Sequence, residues 1–302
     1  MAVVEKRVRH PGDIRKFATD LFVGGTSAAV SKTVVAPIER VKLLLQVQYS
    51  HKDISSKQRY NGIIDAFVRL PKEQGFASFW RGNTTNVMRY FPTQALNFAF
   101  NDFYRSLFHK GIDKRDFWRH TSWSLLAGGC AGSTTLCFVY PLDFIRTRLS
   151  VDVGRSLETR AYKGFRDCLS QTVKQDGVAG LYRGFFISIQ TYFLHRAAYF
   201  GMYDAIRNLT HTNPKEIHFF SSFLIAQGVS ICSAYLTYPW DTVRRRMMIK
   251  GELSSKHAFE SARLIIAHEG VKGLFKGGLA NVFRTSGGAL VMAIYHEIQK
   301  HL

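Results

Sequence analysis

The chain has 302 residues, 46% hydrophobic content and a formal net charge of +19, which excludes a disordered or fibrous protein and requires an acidic partner: nucleic acid, anionic lipid or an anionic solute. The four cysteines form no C-x-x-C pair, so the sequence predicts no metal and no cofactor. The first twenty residues lack an apolar core, which argues against a secretory signal, and Glu5 and Asp13 argue against a cleaved mitochondrial leader.

Six stretches along the chain have the length and composition of helices that cross a bilayer, for which about 20 residues suffice. In chain order they are 17–48 with Lys32, 84–108 with Arg89, the uncharged stretch 121–142, 185–209 with His195 and Arg196, 217–240 with only His218, and 281–301 with Arg284. A charge at mid-membrane costs about 2.5–3.5 kcal/mol on insertion scales, so these cations predict a wet, positively charged cavity between the helices. The alternative is a soluble all-helical protein with solvated basic residues, which the two uncharged stretches disfavour.

A proline motif, P-x-[DE]-x-x-[KR], recurs at Pro37, Pro141 and Pro239. Each copy ends an apolar stretch and is followed by an acid-containing turn and a basic-glycine pair, namely Arg81-Gly82, Arg183-Gly184 and Lys276-Gly277. The acid and the base of the motif lie three residues apart and therefore share a helix face. With threefold pseudo-symmetry each acid reaches the base of the next repeat, which predicts three ion pairs closing one end of the cavity. We predict one structural domain, with a tail at 1–16 and repeats at 17–116, 117–213 and 214–302.

On these motifs the chain resembles the mitochondrial carrier family over essentially its whole length. Within that family it is most similar to the ADP/ATP carriers, because 244–249 reads Arg-Arg-Arg-Met-Met-Ile where they have three methionines, and because 35–46 and 89–98 match them closely. The resemblance implies an all-α membrane protein with six tilted transmembrane helices, short matrix-side helices and a central cavity. It implies a monomeric antiporter of the mitochondrial inner membrane, and no enzyme, which exchanges cytosolic ADP for matrix ATP by alternating access and binds cardiolipin as a structural lipid.

The resemblance also assigns residues to three sites. The substrate contacts would be Lys32, Arg89, Asn97, Thr191, Tyr192, His195, Arg196, Thr237, Arg244, Arg245, Arg246 and Arg284. At the matrix gate Glu39 would pair with Arg146, Asp143 with Arg244 and Asp241 with Lys42, with Gln46 as a brace beneath them. The cytoplasmic gate would comprise Asp102, Arg105, Asp204, Arg207, His296 and Gln299. For Arg245 and Arg246 the alternative is the basic flank of a membrane helix.

This sequence departs from the ADP/ATP carriers in the fourth helix, in the second helix, where Asn101 replaces a lysine, and at the cytoplasmic gate. Where they have a Gly-Ile pair and, three residues later, a tyrosine, this chain has Thr191, Tyr192 and His195. At the cytoplasmic gate His296 replaces the acid and Gln299 the base of the third repeat, so only the pair of Asp102 with Arg207 keeps both charges.

Other functions stay open from the sequence. They are a carrier of the same family for another anion or with a proton leak, a non-transporting membrane scaffold, and a basic RNA-binding protein. The last lacks the aromatic and glycine-rich motifs of RNA-binding modules, so we predict no nucleic-acid partner. The sequence contains no paired-carboxylate site, P-loop or catalytic triad that would indicate an enzyme.

Overall fold

Helices make up most of this computed structural model, which describes residues 11–50, 54, 59–108, 117–153, 160–210, 219–249 and 257–286; no strand occurs within those ranges. The helices are α1 (Pro11–Val47), α2 (Ile63–Gln74), α3 (Asn83–Phe108), α4 (Phe117–Val151), α5 (Phe165–Asp176), α6 (Phe185–Thr210), α7 (Phe219–Leu236), α8 (Tyr238–Met248), α9 (Ala258–Glu269) and α10 (residues 278–286). Short 3-10 helices, Phe76–Trp80, Val178–Tyr182 and Val271–Phe275, follow α2, α5 and α9.

The repeated sequence folds into a repeated structure. Each repeat contains a long helical segment, a short helix of 12 residues, a 3-10 helix and the start of a second long helix. Each short helix ends at a glycine with a positive φ angle, at Gly75, Gly177 and Gly270, whose N–H bonds the carbonyl four residues back. Glycine adopts this left-handed conformation without the steric cost that other residues carry, so the glycines of the repeat define where the short helices end.

The motif prolines act differently in the third repeat. Pro37 and Pro141 lie inside the continuous helices α1 and α4. In the third repeat α7 ends at Leu236 and Pro239 lies in the first turn of α8, with Thr237 between the two helices. Proline fits the first turn of a helix because N–H groups there have no acceptor within the helix, so the absence of an N–H in proline removes no helical hydrogen bond. The single stretch predicted at 217–240 is therefore divided at Thr237 in the described residues.

Each repeat buries its own apolar cluster where the first long helix meets the short helix. Leu44, Ala66 and Leu70 are central in the first repeat, Phe144 and Cys168 in the second, and Val243, Met247 and Ile265 in the third. The long helices also expose large apolar side chains outside these clusters, including Val34, Phe138 and Leu224. Exposed apolar surface of this extent is typical of a protein that contacts lipid or another apolar partner.

Within the described residues one helical segment, Ser122–Val151, is long and apolar enough to cross a membrane by length and composition alone. The apolar segment Leu224–Leu236 is shorter. The other long helices contain the isolated basic residues that the sequence places in them, which lowers their mean hydropathy.

Candidate substrate site and ion-pair ring

A pocket of about 400 Å³ lies between the long helices, and its walls differ in charge. One side is formed by α1, α3, α8, α10 and the end of α4, which contribute Lys32, Lys42, Arg89, Arg146, Arg244, Arg245 and Arg284 together with Glu39, Asp143 and Asp241. The described lining thus holds seven lysines and arginines against three acids, an excess of positive charge that an anionic ligand would balance.

Three ion pairs form a ring along the charged side of the pocket. Arg146 of α4 contacts Glu39 of α1, Arg244 of α8 contacts Asp143 of α4, and Lys42 of α1 lies 2.9 Å from Asp241 of α8. Each pair joins one repeat to another, because the acid and the base of every motif face opposite neighbours. These are the pairs that the resemblance implies; that they serve as a gate stays a prediction.

Further cations contact the same three acids at longer distances. Arg89 lies 3.9 Å from Asp143, and Arg284 lies 3.9 Å from Glu39. Arg245 lies 3.7 Å from Asp143 and 3.4 Å from Asp241. Every acid of the ring therefore contacts more than one basic side chain.

Gln46 lies beneath the ring, fully buried. Its Nε2 donates to Oδ2 of Asp241 at 3.3 Å and to Oγ1 of Thr242 at 3.0 Å. The glutamine thus links α1 to the acid of the third repeat and supports the Lys42–Asp241 pair from below, as the resemblance implies.

A second set of basic residues, which we call the outer arginines, comprises Arg40, Arg148 and Arg246. The Nε of Arg40 donates to the carbonyl of Ser150 at 3.1 Å, that of Arg148 to Met248 at 2.9 Å, and that of Arg246 to Gln46 at 3.1 Å. The three carbonyls stand at the same distance along the chain after the motif proline of the next repeat. Sequence reasoning missed Arg40 and Arg148, although Arg148 and Arg246 both follow the motif base by two residues.

Arg246 departs from its predicted role as a substrate contact. Its side chain is 0% exposed, lies outside the pocket lining, and forms an ion pair with Glu269 of α9. Neighbouring residues of a helix point in different directions, so Arg244, Arg245 and Arg246 cannot all face one pocket. Arg244 and Arg245 line it, and Arg246 instead connects α8 to α9 and α1.

Another part of the pocket lining contains the unusual residues of α6. Thr191, Tyr192 and His195 line the pocket, and Tyr192 also lines an adjoining chamber of about 440 Å³ together with Arg196 and Asn97. The Tyr192 ring packs across Gly132 of α4, where a Cβ atom would lie 2.2 Å from the ring, and Arg196 donates to its hydroxyl at 2.9 Å.

The predicted cytoplasmic gate lies mostly beyond these residues. Asp102 and Arg105 are exposed on α3, and Arg105 lines the adjoining chamber. The side chains of Asp204 and Arg207, and the residues His296 and Gln299, lie outside the described part of the chain. The gate remains a prediction from the sequence.

Among the described residues no group of three or more His, Cys, Asp or Glu side chains could hold a metal ion. All four cysteines are free thiols, and Cys168 is buried in the apolar cluster of the second repeat.

Comparison with known proteins identifies relatives over nearly the whole chain. A family profile described as "Mitochondrial carrier protein" matches residues 14–111, 117–214 and 215–302. ADP/ATP translocase 4 of Homo sapiens is 53% identical over 292 residues, which cover 95% of this chain and 92% of that protein. ADP/ATP translocase 2 of Rattus norvegicus is 52% identical over 291 residues, covering 94% of this chain and 97% of that protein. Three consecutive matches, one for each structural repeat, show that the chain belongs to the mitochondrial carrier family.

Proposed function

We propose that this protein is a multi-pass transporter of the mitochondrial inner membrane that exchanges cytosolic ADP for matrix ATP by alternating access. As a member of the carrier family it is a transporter and not an enzyme. One observation carries the substrate assignment: a cation-rich pocket is bounded by a ring of ion pairs between repeats. Relatives more than 50% identical over most of the chain are named ADP/ATP translocases, which supports the same substrates here.

The membrane arrangement is part of the proposal. Six tilted helices would surround a central cavity, α2, α5 and α9 would lie along the matrix surface, and the protein would act as a monomer. The exposed apolar faces of the long helices support contact with lipid hydrocarbon. The basic residues inside these helices face the pocket, where water or phosphate solvates them, so their membrane cost is reduced.

The contacts around the ring supply a mechanism for coupling. Arg89 and Arg284 lie 3.9 Å from ring acids, too far for a direct hydrogen bond, so a nucleotide phosphate can draw them away. A guanidinium group binds phosphate through a planar fork of N–H donors. Once these cations turn to phosphate, Glu39 and Asp143 lose part of their compensation, which weakens the ring and favours opening at that end.

Exchange needs no covalent chemistry, and the membrane potential gives it direction. If ADP carries three negative charges and ATP four, each export of ATP moves one net charge across the membrane. The potential then contributes about 2.3 kcal/mol per 100 mV.

Liposomes loaded with ATP test this function. Purified protein should take up external ADP, and Arg89→Ala or Arg284→Ala should abolish uptake while leaving membrane insertion intact. Cys137→Ser, at an exposed position outside the pocket lining, is the matched control and should exchange normally. Rapid uptake of another anion without any adenine-nucleotide exchange would show that the altered α6 wall serves a different substrate.

Cardiolipin is proposed as a structural lipid at the starts of the short helices. Gly62 and Gly164 cap α2 and α5, leaving helix N–H groups accessible to phosphate, whereas His257 caps α9. Two pockets at the junctions between repeats adjoin Gly62 and His257. We expect three lipids with the one at α9 held least firmly, and native mass spectrometry that finds equal retention of all three would contradict this order.

The cytoplasmic gate is proposed to close weakly, because His296 and Gln299 remove charges from two of its three pairs. Exposed pairs contribute about 0.2–1 kcal/mol each, so the balance shifts several-fold toward the cytoplasm-open state. His296 would face Arg105, so its protonation adds repulsion and acid favours the same state further. The variant His296→Asp with Gln299→Lys should increase labelling at the matrix mouth and reduce its dependence on pH. Equal labelling of both proteins from pH 6 to 8 would contradict this proposal.

A further inference from the structure

A proline inside a helix leaves one main-chain carbonyl without its helical partner, the carbonyl four residues earlier in the chain. For the three motif prolines these carbonyls belong to Thr33, Cys137 and Tyr235, all at exposed positions of the long helices. Where a helix contacts lipid, no water can pair with such a group, so the protein itself has to supply a donor. The three repeats therefore have the same local requirement, but they do not all meet it.

The first two repeats pair this carbonyl with a donor on an aromatic ring. Nε1 of Trp80 donates to the carbonyl of Thr33 at 2.8 Å, and the hydroxyl of Tyr182 donates to that of Cys137 at 2.8 Å. Both donors are the last residues of the 3-10 helix in their own repeat, so each bond joins the helix before the proline to the second half of the repeat. In both repeats the helix continues through the proline, in α1 and in α4. Each bond thus restrains the bend that the proline introduces.

The third repeat has Phe275 at the position of these donors, and a phenyl ring has no polar hydrogen to donate. Among the residues that the structure describes, no side chain donates to the Tyr235 carbonyl. Here the helix is interrupted: α7 ends at Leu236, and Thr237 has φ −91° and ψ −2°, away from the values of a regular helix. The bend without a donor is thus the one at which the described helix divides.

Phe275 nevertheless lies where Tyr182 lies in the second repeat. Tyr140 and Tyr238 each precede the motif proline and donate to the carbonyl of the basic residue in the basic-glycine pair, at 2.7 and 2.9 Å. The Tyr182 ring stacks on Tyr140 with centroids 5.9 Å apart, and the Phe275 ring stacks on Tyr238 at 6.5 Å. The two repeats therefore share this packing and differ by one hydroxyl, so Phe275→Tyr would direct a donor toward the Tyr235 carbonyl.

We propose that the junction between α7 and α8 is the principal hinge at which this carrier opens its ring of ion pairs, and that Trp80 and Tyr182 are positioning residues that restrain the corresponding bends of α1 and α4. This role rests on the proposed function, because it concerns the opening that exchange by alternating access requires. α8 holds Asp241 and Arg244, which take part in two of the three ring pairs. Rotation of α8 about Thr237 separates both residues from their partners in α1 and α4 without breaking a side-chain hydrogen bond at the bend.

Exchange by the full chain in liposomes loaded with ATP tests the hinge. Phe275→Tyr adds a hydrogen bond that has to break when α8 turns, and one such bond corresponds to roughly fivefold, so uptake of external ADP should slow by about that factor. Phe259→Tyr is the matched control: it adds the same hydroxyl at a position of α9 that is 85% exposed, and it should keep the wild-type rate. The unfolding temperature of Phe275→Tyr should equal or exceed that of the wild-type chain, which separates a restrained hinge from a damaged fold.

Amide hydrogen exchange of the purified wild-type chain tests the hinge without transport. Residues 233–241 should be roughly fivefold less protected than residues 31–39 and 135–143, which contain the restrained bends. Tyr182→Phe should lower the protection of 135–143 toward that of 233–241, because it removes the donor to the Cys137 carbonyl.

Three outcomes would overturn the proposal: equal protection of the three bends, a wild-type rate of ADP uptake in Phe275→Tyr, or a slower rate accompanied by a lower unfolding temperature. Failure of the wild-type chain to exchange any adenine nucleotide contradicts the proposed function instead. The hydrogen-exchange comparison then still decides whether the junction between α7 and α8 is the hinge, so the two failures are distinguishable.

Discussion

The inner ring of ion pairs and the outer arginines both join the three repeats, but they hold different partners. In the inner ring Lys42, Arg146 and Arg244 contact carboxylates and line the pocket. Each outer arginine donates from Nε to a main-chain carbonyl of the next repeat and is buried away from the pocket.

This difference indicates two roles: the inner ring responds to substrate, and the outer arginines stabilise the closed structure. A phosphate can replace a carboxylate as the partner of a basic side chain in the pocket, so the inner ring can respond to a nucleotide. No solute reaches the outer arginines while the repeats are packed, and a buried carbonyl without a donor is costly. We therefore expect changes in the outer set to alter unfolding, and changes in the inner ring to alter the balance between conformations.

The largest effect is expected from Arg246→Ala. This change leaves Glu269, a nearly buried carboxylate, without its main partner, and breaking such a pair costs about 3–5 kcal/mol of the free energy of unfolding. Thermal unfolding of the purified protein should show a large decrease or a failure to accumulate folded chain. An unchanged unfolding temperature would mean that Lys276, 2.9 Å from Glu269, is a sufficient partner by itself.

The same pair predicts a loss of stability in acid. Burial by itself would raise the pKa of Glu269, but the hydrogen bonds and charges of Arg246 and Lys276 outweigh it and hold the pKa below its usual value of 4.5. Because the pKa of this carboxyl is lower in the folded than in the unfolded protein, its ionised form stabilises the folded state. This stabilisation is fully present above the pKa of the unfolded protein, and it is lost as the pH falls through the pKa of the folded protein. Hydrogen bonds to charged groups contribute about 1.5–3 kcal/mol, so unfolding should become easier below about pH 4.5. Glu269→Gln should flatten this part of the stability profile, and an identical acid profile would contradict the assignment.

Arg148→Leu should have a smaller effect than Arg246→Ala. The hydrogen-bond partners of Arg148 are neutral: the Met248 carbonyl, the Tyr162 hydroxyl and Oγ1 of Thr172. Without the arginine these neutral groups lose a hydrogen bond, which costs about 1–3 kcal/mol, but no buried carboxylate is left without a cation. Thermal unfolding of both variants in one detergent gives the comparison, and an equal or larger effect of Arg148→Leu would reverse the proposed order.

The smallest effect on unfolding is expected in the inner ring, from Lys42→Gln. Glutamine keeps a hydrogen-bond donor near Asp241, and Gln46 and Arg245 also contact this acid, so the acid is not left without partners and the loss should be smaller than in the outer arginines. The closed end should nevertheless open more often, which thiol labelling of a cysteine placed beyond the ring would detect as a several-fold rise. A large decrease in unfolding temperature without any rise in labelling would place Lys42 among the stabilising residues and remove the distinction between the two sets.

Much of this arrangement follows from the sequence because it is periodic. Three copies of one motif, with an acid and a base on one helix face, predict that Glu39, Asp143 and Asp241 meet cations of neighbouring repeats. The positions of Lys32, Arg89 and Arg284 inside apolar stretches likewise predict that they face a polar pocket. The family could be inferred from the same residues, since a motif repeated at this spacing is the signature of a fold built from repeated units.

Tertiary packing decided what a local pattern does not encode. Arg148 and Arg246 occupy the same position in their repeats, but Arg40 lies one helical turn earlier in the first repeat. An alignment of the three repeats therefore does not show that all three arginines donate to equivalent carbonyls. The rotation of α8 about its axis directs Arg244 toward the pocket and Arg246 into the protein, a difference that a run of three arginines does not reveal. The contact between His195 of α6 and Thr237, the residue between α7 and α8, likewise forms only in the folded chain, because the two lie about 40 residues apart in sequence. Sequence specifies which chemical groups a helix presents at each turn, whereas their partners depend on how neighbouring helices are placed and rotated.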